Sequence, residues 1–417
     1  MLIGKLKSHL STQLLRGFSW LALGELLHRI MRLGTIVILA RLLSAYDYGL
    51  IAIVFLTIEF ANTFTLQGGI TKKLIYANDA ELPELSNAAY WMNWIIHIVI
   101  FGLQCIASLG IGWFYHDNHV ILPICCVAAT YLILPIFAVQ GALIQRENRL
   151  KVIALAGLTN SVLTNVMTIG FALIGLGIWS VVLAHVLSHV SWLTIYLMHH
   201  SWRPSGGFTL KGSKEILKFA KDPIGVELLE KLRSNLDYLL IGRFIGVEAL
   251  GIYYFAFNAG LGISLNIVNM FSMTLLPYFC EVRTDLDRLK KRYLEGLKMI
   301  ACVTFPLVII QSVLAPFYVP IVFGQKWAVA IPILIIICLS ALPRPFARAS
   351  EQLLLSLDRG PASLQWNLAF TAILTVALCI AVQFNTFAVA IAVLITHLIA
   401  LPLFTIWTTR SSFPRSA

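Results

Sequence analysis

The sequence predicts an all-α membrane protein of about twelve transmembrane helices, and three observations carry that expectation. Of its 417 residues, 59% are hydrophobic and only 12% are charged, too few charges to solvate the surface of a soluble domain of this length. Mean hydropathy is +0.83, and the apolar residues fall into runs of about twenty, enough for a helix to cross the ~30 Å hydrocarbon layer. Backbone in lipid has to satisfy its own polar groups, so such runs are helices and not open strands.

The expected helices are 17–41, 48–71, 88–112, 119–144, 152–174, 177–198, 223–242, 249–279, 297–317, 328–349, 362–383 and 387–408. The first follows a basic segment with Lys5, Lys7 and Arg16, and it is too long and lacks the small-residue cleavage site of a signal peptide. The second holds Glu59 and Asn62 near its middle. Glu59 is the best single candidate for a protonatable coupling group, with a hydrogen-bonded structural acid as the equal alternative. His97, His185 and His189, on the third and sixth helices, read as packed or interfacial. Asn160, Ser161, Thr164 and Asn165 form a polar stripe on the fifth helix, which interhelical hydrogen bonding explains. Prolines 123, 135, 306, 316, 332 and 343 interrupt the fourth, ninth and tenth helices and predict kinks.

Two connections are long enough for structure of their own. Residues 201–222 separate a first lobe (1–200) from a second (223–417). Within this connector Lys214, Lys218 and Lys221 alternate with Ile216, Leu217, Phe219 and Ala220, the pattern of an amphipathic helix on a membrane surface. The run from Arg283 to Lys298, with Lys290, Lys291 and Arg292 at its centre, reads as a solvated basic loop. The seven cysteines have no metal-ligand spacing and read as free, packed thiols.

Orientation follows from the basic residues. With the N-terminus in the cytoplasm, inward segments and their edges hold 24 of the 31, including Arg344 and Arg348 at the inner end of the tenth helix and Arg359 beyond it. Outward segments hold Arg41, Arg243 and Lys326, the positive-inside distribution of a plasma-membrane protein with both termini inside. The net charge of +11 is therefore topology and headgroup contact, not a nucleic-acid footprint.

The two halves repeat. At an offset of 202 residues, Glu25-Leu26-Leu27 falls on Glu227-Leu228-Leu229, Arg29 on Lys231, Arg41 on Arg243, and Gly49-Leu50 on Gly251-Ile252. Six helices fit in that offset, so the halves share one orientation. This predicts two parallel-repeat six-helix lobes around a central cavity.

The matching first and seventh helices also hold the intramembrane charge. Glu25, Arg29 and Arg32 share one face at i, i+4 and i+7, and the seventh helix carries Glu227, Glu230, Lys231, Arg233 and Asp237. A charge facing lipid costs at least ~2.5–3.5 kcal/mol, so these residues face a hydrated cleft, pair with one another, or project from the bilayer. On the first alternative Arg29, Arg32, Lys231 and Arg233 attract an anion, while Glu25, Glu59, Glu227 and Asp237 are the acidic or ion-coupling positions. On the second, Glu25–Arg29 and Glu227–Lys231 are static ion pairs. Arg32 has no obvious local partner. No phosphate-binding glycine loop, catalytic triad spacing or acidic outward cluster is present, which argues against an enzyme, and no cofactor is expected.

Several segments resemble the polysaccharide exporters of the multidrug/oligosaccharidyl-lipid/polysaccharide superfamily, in particular the colanic acid and teichuronic acid type of lipid-linked oligosaccharide flippase. They are Ala40-Arg41-Leu42-Leu43 with Tyr48-Gly49-Leu50, Tyr90-Trp91-Met92-Asn93, Gln145-Arg146-Glu147, and Gly177-Ile178-Trp179-Ser180. Further along come Asn235-Leu236-Asp237, Gly242-Arg243, Leu250-Gly251-Ile252-Tyr253, and Phe323-Gly324-Gln325-Lys326-Trp327 with Pro332. Ala45 and Leu150 stand where that family commonly has proline and phenylalanine, and the family usually has fourteen helices where twelve are read here. The resemblance implies movement of a polyprenyl-pyrophosphate-linked glycan between leaflets. Expected partners are that glycan, the bilayer, and the polymerase and export machinery of polysaccharide synthesis. A cation-coupled drug exporter of the same superfamily, a membrane-embedded polymerase or ligase, and an inactive relative are the rival readings.

Overall fold

The computed structural model describes residues 31–205, 207–221 and 224–413, which are overwhelmingly helical and contain no β-strand. The first expected span is represented by α1 (31–42). Then come α2 (Ala45–Thr63), α3 (Gln67–Tyr76), α4 (Leu82–Tyr115), α5 (Ile121–Ala128), α6 (Thr130–Arg146), α7 (Leu150–Leu173), α8 (Trp179–His199) and the short α9 (Ser213–Lys221). The second half contains α10 (Ile224–Phe244), α11 (Val247–Cys280), α12 (Leu286–Tyr318), α13 (Ile331–Ser340), α14 (Arg344–Ser356), α15 (Gly360–Ala381) and α16 (Thr386–Ser412). Every expected span from the second onward is met by one helix or a broken pair.

Among the described residues, nine spans are long and apolar enough to cross a membrane. α10 is not one of them, because Glu227, Glu230, Lys231, Arg233, Asp237 and Arg243 interrupt its hydropathy. The spans show lipid-ready faces: on α4, Ile98, Leu103, Ile106 and Leu109 all lie exposed, an arrangement stable only under a hydrocarbon cover.

Two connections depart from expectation. The basic run at 283–298 is helix, not loop. Asp285 caps α12 by accepting a hydrogen bond from the Arg288 amide at 3.1 Å. Leu289, Tyr293 and Ile300 recur on one buried face against Phe279 and Leu353, so Lys290 and Lys291 ride exposed on the other side. The helix of the connector exists, but its Ile216 packs on protein and not on lipid. Ile216 is fully buried against Ile70, Leu74, Leu85 and Ala89. An ion pair from Lys73 to Glu215 at 3.0 Å ties the same edge down, while Leu217 stays exposed.

The repeat is visible in matching details within each half. The fourth span breaks after Ala128 in one half and after Ser340 in the other. Each then ends in a polar residue with positive φ, Asn148 (54°) and Asp358 (57°), the residue types that tolerate the left-handed region. An arginine follows each time. Arg149 donates to the His199 carbonyl at 2.7 Å, and Arg359 to the Ser411 carbonyl at 3.2 Å, so each latch closes on the C-terminal end of its half's last helix. The register has slipped from 202 residues at the first helices to 210 at these latches, through longer connections in the second half. The chain divides into two compact units between Leu232 and Arg233, inside α10.

Each unit has its own core. In the second, Trp327 is fully buried and stacks on Phe255 at 3.9 Å. In the first, Thr35 donates to Asn165 at 2.6 Å and Tyr131 to Asn62 at 2.9 Å, so the polar stripe of the fifth span binds a neighbouring helix. The turn between α4 and α5 is held by Asp117, which accepts from the Tyr46 hydroxyl at 2.6 Å and from the His119 amide at 2.9 Å. Burial alone would raise this carboxyl. The bonds from Tyr46 and from the His119 amide and ring outweigh it and hold the group below the usual carboxylate range. A depressed folded pKa stabilises above the unfolded value, and that stabilisation disappears as pH falls through the folded one. Asp117→Asn is therefore expected to lower stability by about 1–2 kcal/mol at neutral pH. Thermal unfolding of both proteins from neutral to acid pH should show the gap closing on acidification, and a constant gap would contradict this account.

Candidate functional site

The charged residues singled out from the sequence separate into two groups. Glu25 and Arg29 lie outside the described residues. Arg32 is exposed on α1 and has no ion-pair partner among the described residues. In the first unit, the Lys231 ammonium pairs with Glu227 at 2.9 Å and donates to the Glu59 carbonyl at 2.7 Å. Thr63 approaches the same Glu227 oxygen at 3.5 Å. These contacts anchor the first turns of α10, so the static ion pair is the arrangement present for Glu227 and Lys231. The Glu59 side chain is exposed, and its backbone carbonyl is the acceptor in this contact.

Arg233 and Asp237, one turn further along α10, face a cavity of about 280 Å³ inside the second unit. Five helices build it, α11 contributing Phe257. From α14, Arg344, Arg348 and Glu351 recur at i, i+4 and i+7 and so share a face. α15 adds Trp366, Asn367 and Phe370, and α16 adds His397 and Phe404. The tenth span breaks just before this face. Pro343 and Pro345 flank Arg344, and a proline fits the first turn of a helix but not its interior, so α14 starts anew with Arg344 at its first position.

The ionic groups are wired together. Glu351 pairs with Arg348 at 3.2 Å and accepts from the Asn367 amide at 3.0 Å and from Ser363 at 3.3 Å. Asn367 accepts in turn from Arg233, whose guanidinium lies 5.8 Å from the Phe370 ring centre, a cation–π distance. Asp237 accepts from the Tyr253 hydroxyl at 2.8 Å and from the Tyr238 amide at 3.0 Å, and it feels the Arg344 charge through space. Rings stack along the wall at low angles: Trp366 on Phe404 at 4.6 Å, and Phe370 on His397 at 5.7 Å.

Three guanidinium groups thus meet two carboxylates, leaving one positive charge in excess in a largely apolar setting. Such a site attracts an anion. Sequence reasoning placed Arg233 and Asp237 correctly on one helix, but it assigned Arg344 and Arg348 to an inward connection and missed His397 altogether. The Pro343-Arg344-Pro345 punctuation was the available signal.

Residues 38–332 match the family described as polysaccharide biosynthesis protein. The teichuronic acid biosynthesis protein TuaB of Bacillus subtilis (strain 168) is 26% identical over 90% of this chain and 77% of its own length. The lipopolysaccharide biosynthesis protein WzxC of Escherichia coli (strain K12) is 23% identical over 88% and 75%. Among solved structures, the lipid II flippase MurJ in an inward closed conformation aligns with a TM-score of 0.75 at 14% identity, covering 94% of this chain and 87% of that one. An inward-facing MATE family transporter of the MOP superfamily aligns at 0.74 and 16%, covering 94% and 96%. These likenesses show a common fold. With a family match spanning most of its length and helices arranged as in those transporters, the chain belongs to the polysaccharide biosynthesis protein family of membrane proteins.

Proposed function

We propose that this protein translocates a polyprenyl-pyrophosphate-linked oligosaccharide across the bacterial inner membrane for surface polysaccharide synthesis. A bulky hydrated glycan cannot cross hydrocarbon unaided. It needs a wet, polar passage beside the lipid, and charged side chains within spanning helices are stable where such a passage or an ionic partner exists. The observation that carries the reading is the cavity of the second unit, which gathers arginines from α10 and α14 within the apolar helices of a transporter fold. The two repeated lobes rock to present the passage first to one leaflet and then to the other, with Arg29, Arg32 and Arg233 drawing in the anionic head while Lys231 stays paired with Glu227. Glu25, Glu59, Glu227 and Asp237 are the acidic counterparts and positions for ion coupling. The first lobe is 1–200 and the second 223–417, joined by 201–222, and both termini lie in the cytoplasm as the distribution of basic residues favours. The polymerase and export machinery take the product onward.

A bacterial strain lacking a flippase of this family tests the proposal. Expression of this chain should restore surface polysaccharide and drain the accumulated lipid-linked precursor. Undiminished precursor at normal protein level would refute it. The likeness to multidrug transporters favours a second reading, cation-coupled drug efflux, and resistance to cationic compounds in the same strain without polysaccharide would select it.

A further inference from the structure

We propose that the connector after α8 is a docking surface for an anionic phospholipid of the cytoplasmic leaflet, one whose headgroup carries a single phosphate charge and free hydroxyls, as phosphatidylglycerol does. The surface belongs to the first unit and is separate from the cavity described above. An uncovered apolar edge, a local excess of lysine and two unpartnered polar atoms support it.

The connector is clamped against the first turns of α4. Lys211 pairs with Glu84 at 3.0 Å, and Gly212, at φ +89°, runs so close that a Cβ there would meet the Leu85 side chain at 3.0 Å. Beyond this clamp Phe208 is 63% exposed, and Leu210 and Leu217 are exposed as well. Apolar side chains grouped in this way need a cover, and the neighbouring rings indicate which. Tyr90 meets Trp94 at 6.4 Å and Trp202 at 6.1 Å, and Trp91 meets Phe208 at 5.6 Å. Tryptophan and tyrosine gather where headgroups meet hydrocarbon, so this cluster sets the connector at headgroup level.

Residues 201–222 hold five basic and two acidic side chains, which leaves the connector positive. Lys211 and Glu215 are already paired. Lys214 and Lys218, one turn apart on α9, are exposed and make no ion pair among the described residues. A helix that shows lysine beside leucine and phenylalanine lies in the plane of an anionic leaflet, and each lysine near the surface strengthens the attraction. On α4, again one turn apart, Trp91 Nε1 and Asn87 Oδ1 are buried without a hydrogen-bond partner among the described residues. Buried polar groups are seldom left so. The indole can only donate and the amide oxygen only accept, so a guest that answers both brings an acceptor and a donor close together. A phosphate oxygen and a glycerol hydroxyl of one headgroup do that. Displacement of the exposed Phe208 ring from Trp91 gives the headgroup access to both atoms, while Lys214 and Lys218 meet the phosphate charge on their flexible stems.

Native mass spectrometry of the full-length protein, released from detergent with added lipid, provides the test. The probes are dioleoylphosphatidylglycerol, dioleoylphosphatidylcholine, dioleoylphosphatidylmethanol and free glycerol 3-phosphate. The first phosphatidylglycerol should bind on the order of ten-fold more tightly than phosphatidylcholine. Phosphatidylmethanol, with the charge but no headgroup hydroxyl, should fall between them. The double variant Lys214→Gln/Lys218→Gln should shrink the ten-fold preference to about three-fold or less. Both lysines are exposed, so the variant keeps its fold. Trp91→Phe, which removes the indole N–H, should weaken phosphatidylglycerol binding and leave phosphatidylcholine unchanged. Equal binding of phosphatidylglycerol and phosphatidylcholine, or an undiminished preference in the double variant, would overturn the proposal. So would glycerol 3-phosphate binding as tightly as the lipid, which would mark a site for a soluble anion. Displacement of the lipid by an equal concentration of a glutamate-rich peptide would assign the surface to an acidic protein instead.

Discussion

Replacing Arg32 with alanine is expected to abolish surface polysaccharide, at least ten-fold below wild type, while protein level stays normal. The residue is exposed on α1 and makes no ion pair among the described residues, so its removal breaks no ion pair among them. An arginine in a spanning segment carries an insertion cost of ~2.5–3.5 kcal/mol, and on the proposed function that cost is offset by the anionic head it draws in. Lys231 makes the contrast. It is locked by Glu227 and by the Glu59 carbonyl, and its loss would disturb the anchoring of α10. The measurement is an immunoblot of membranes beside a quantitative polysaccharide assay in the flippase-null strain. Normal polysaccharide in Arg32→Ala would remove this residue from the transport path.

Trp327→Ala should produce the largest loss of stability of any single change considered, about 3–5 kcal/mol. The indole is fully buried, stacks on Phe255 at 3.9 Å, and sits beside Phe323, which meets Phe255 edge-on at 5.2 Å. Alanine would leave a void that three packed helical segments cannot close without moving, because the neighbours are already tightly fitted. Lys326 lies over the same indole at 5.8 Å, so a small cation–π contribution is lost with it. Unfolding in detergent, followed by tryptophan emission or by proteolysis, should show the variant melting well below wild type. A shift of a degree or two would mean that the segment around Gly324 relaxes into the space.

The spans were legible because hydropathy in a bilayer is a strong, local signal, and every expected span from 48 to 408 has its helix. What the sequence concealed is what depends on distant neighbours. α12 reaches back to Leu286 because Leu289, Tyr293 and Ile300 find a buried surface. The surrounding lysines and arginines mask that periodicity from any composition-based reading. The connector helix is amphipathic, as its spacing says, but an apolar face does not name its cover. Here Ile216 chose protein over lipid. Arg344 and Arg348 lower local hydropathy at the end of a span, which is how a cytoplasmic loop also looks. More than a hundred residues separate them from Arg233, and no periodicity joins them. The first helix carries two of the residues expected in the site, Glu25 and Arg29, and both lie outside the described part of the chain.

The paired arginine latches allow counterpart positions in the two lobes to be set side by side. At the 210-residue register of Asn148 and Asp358, Arg344 corresponds to Leu134 and Arg348 to Ala138. The scaffold was kept in duplicate while the chemistry was not: one copy's fourth span is lined with hydrocarbon where the other's bears guanidinium.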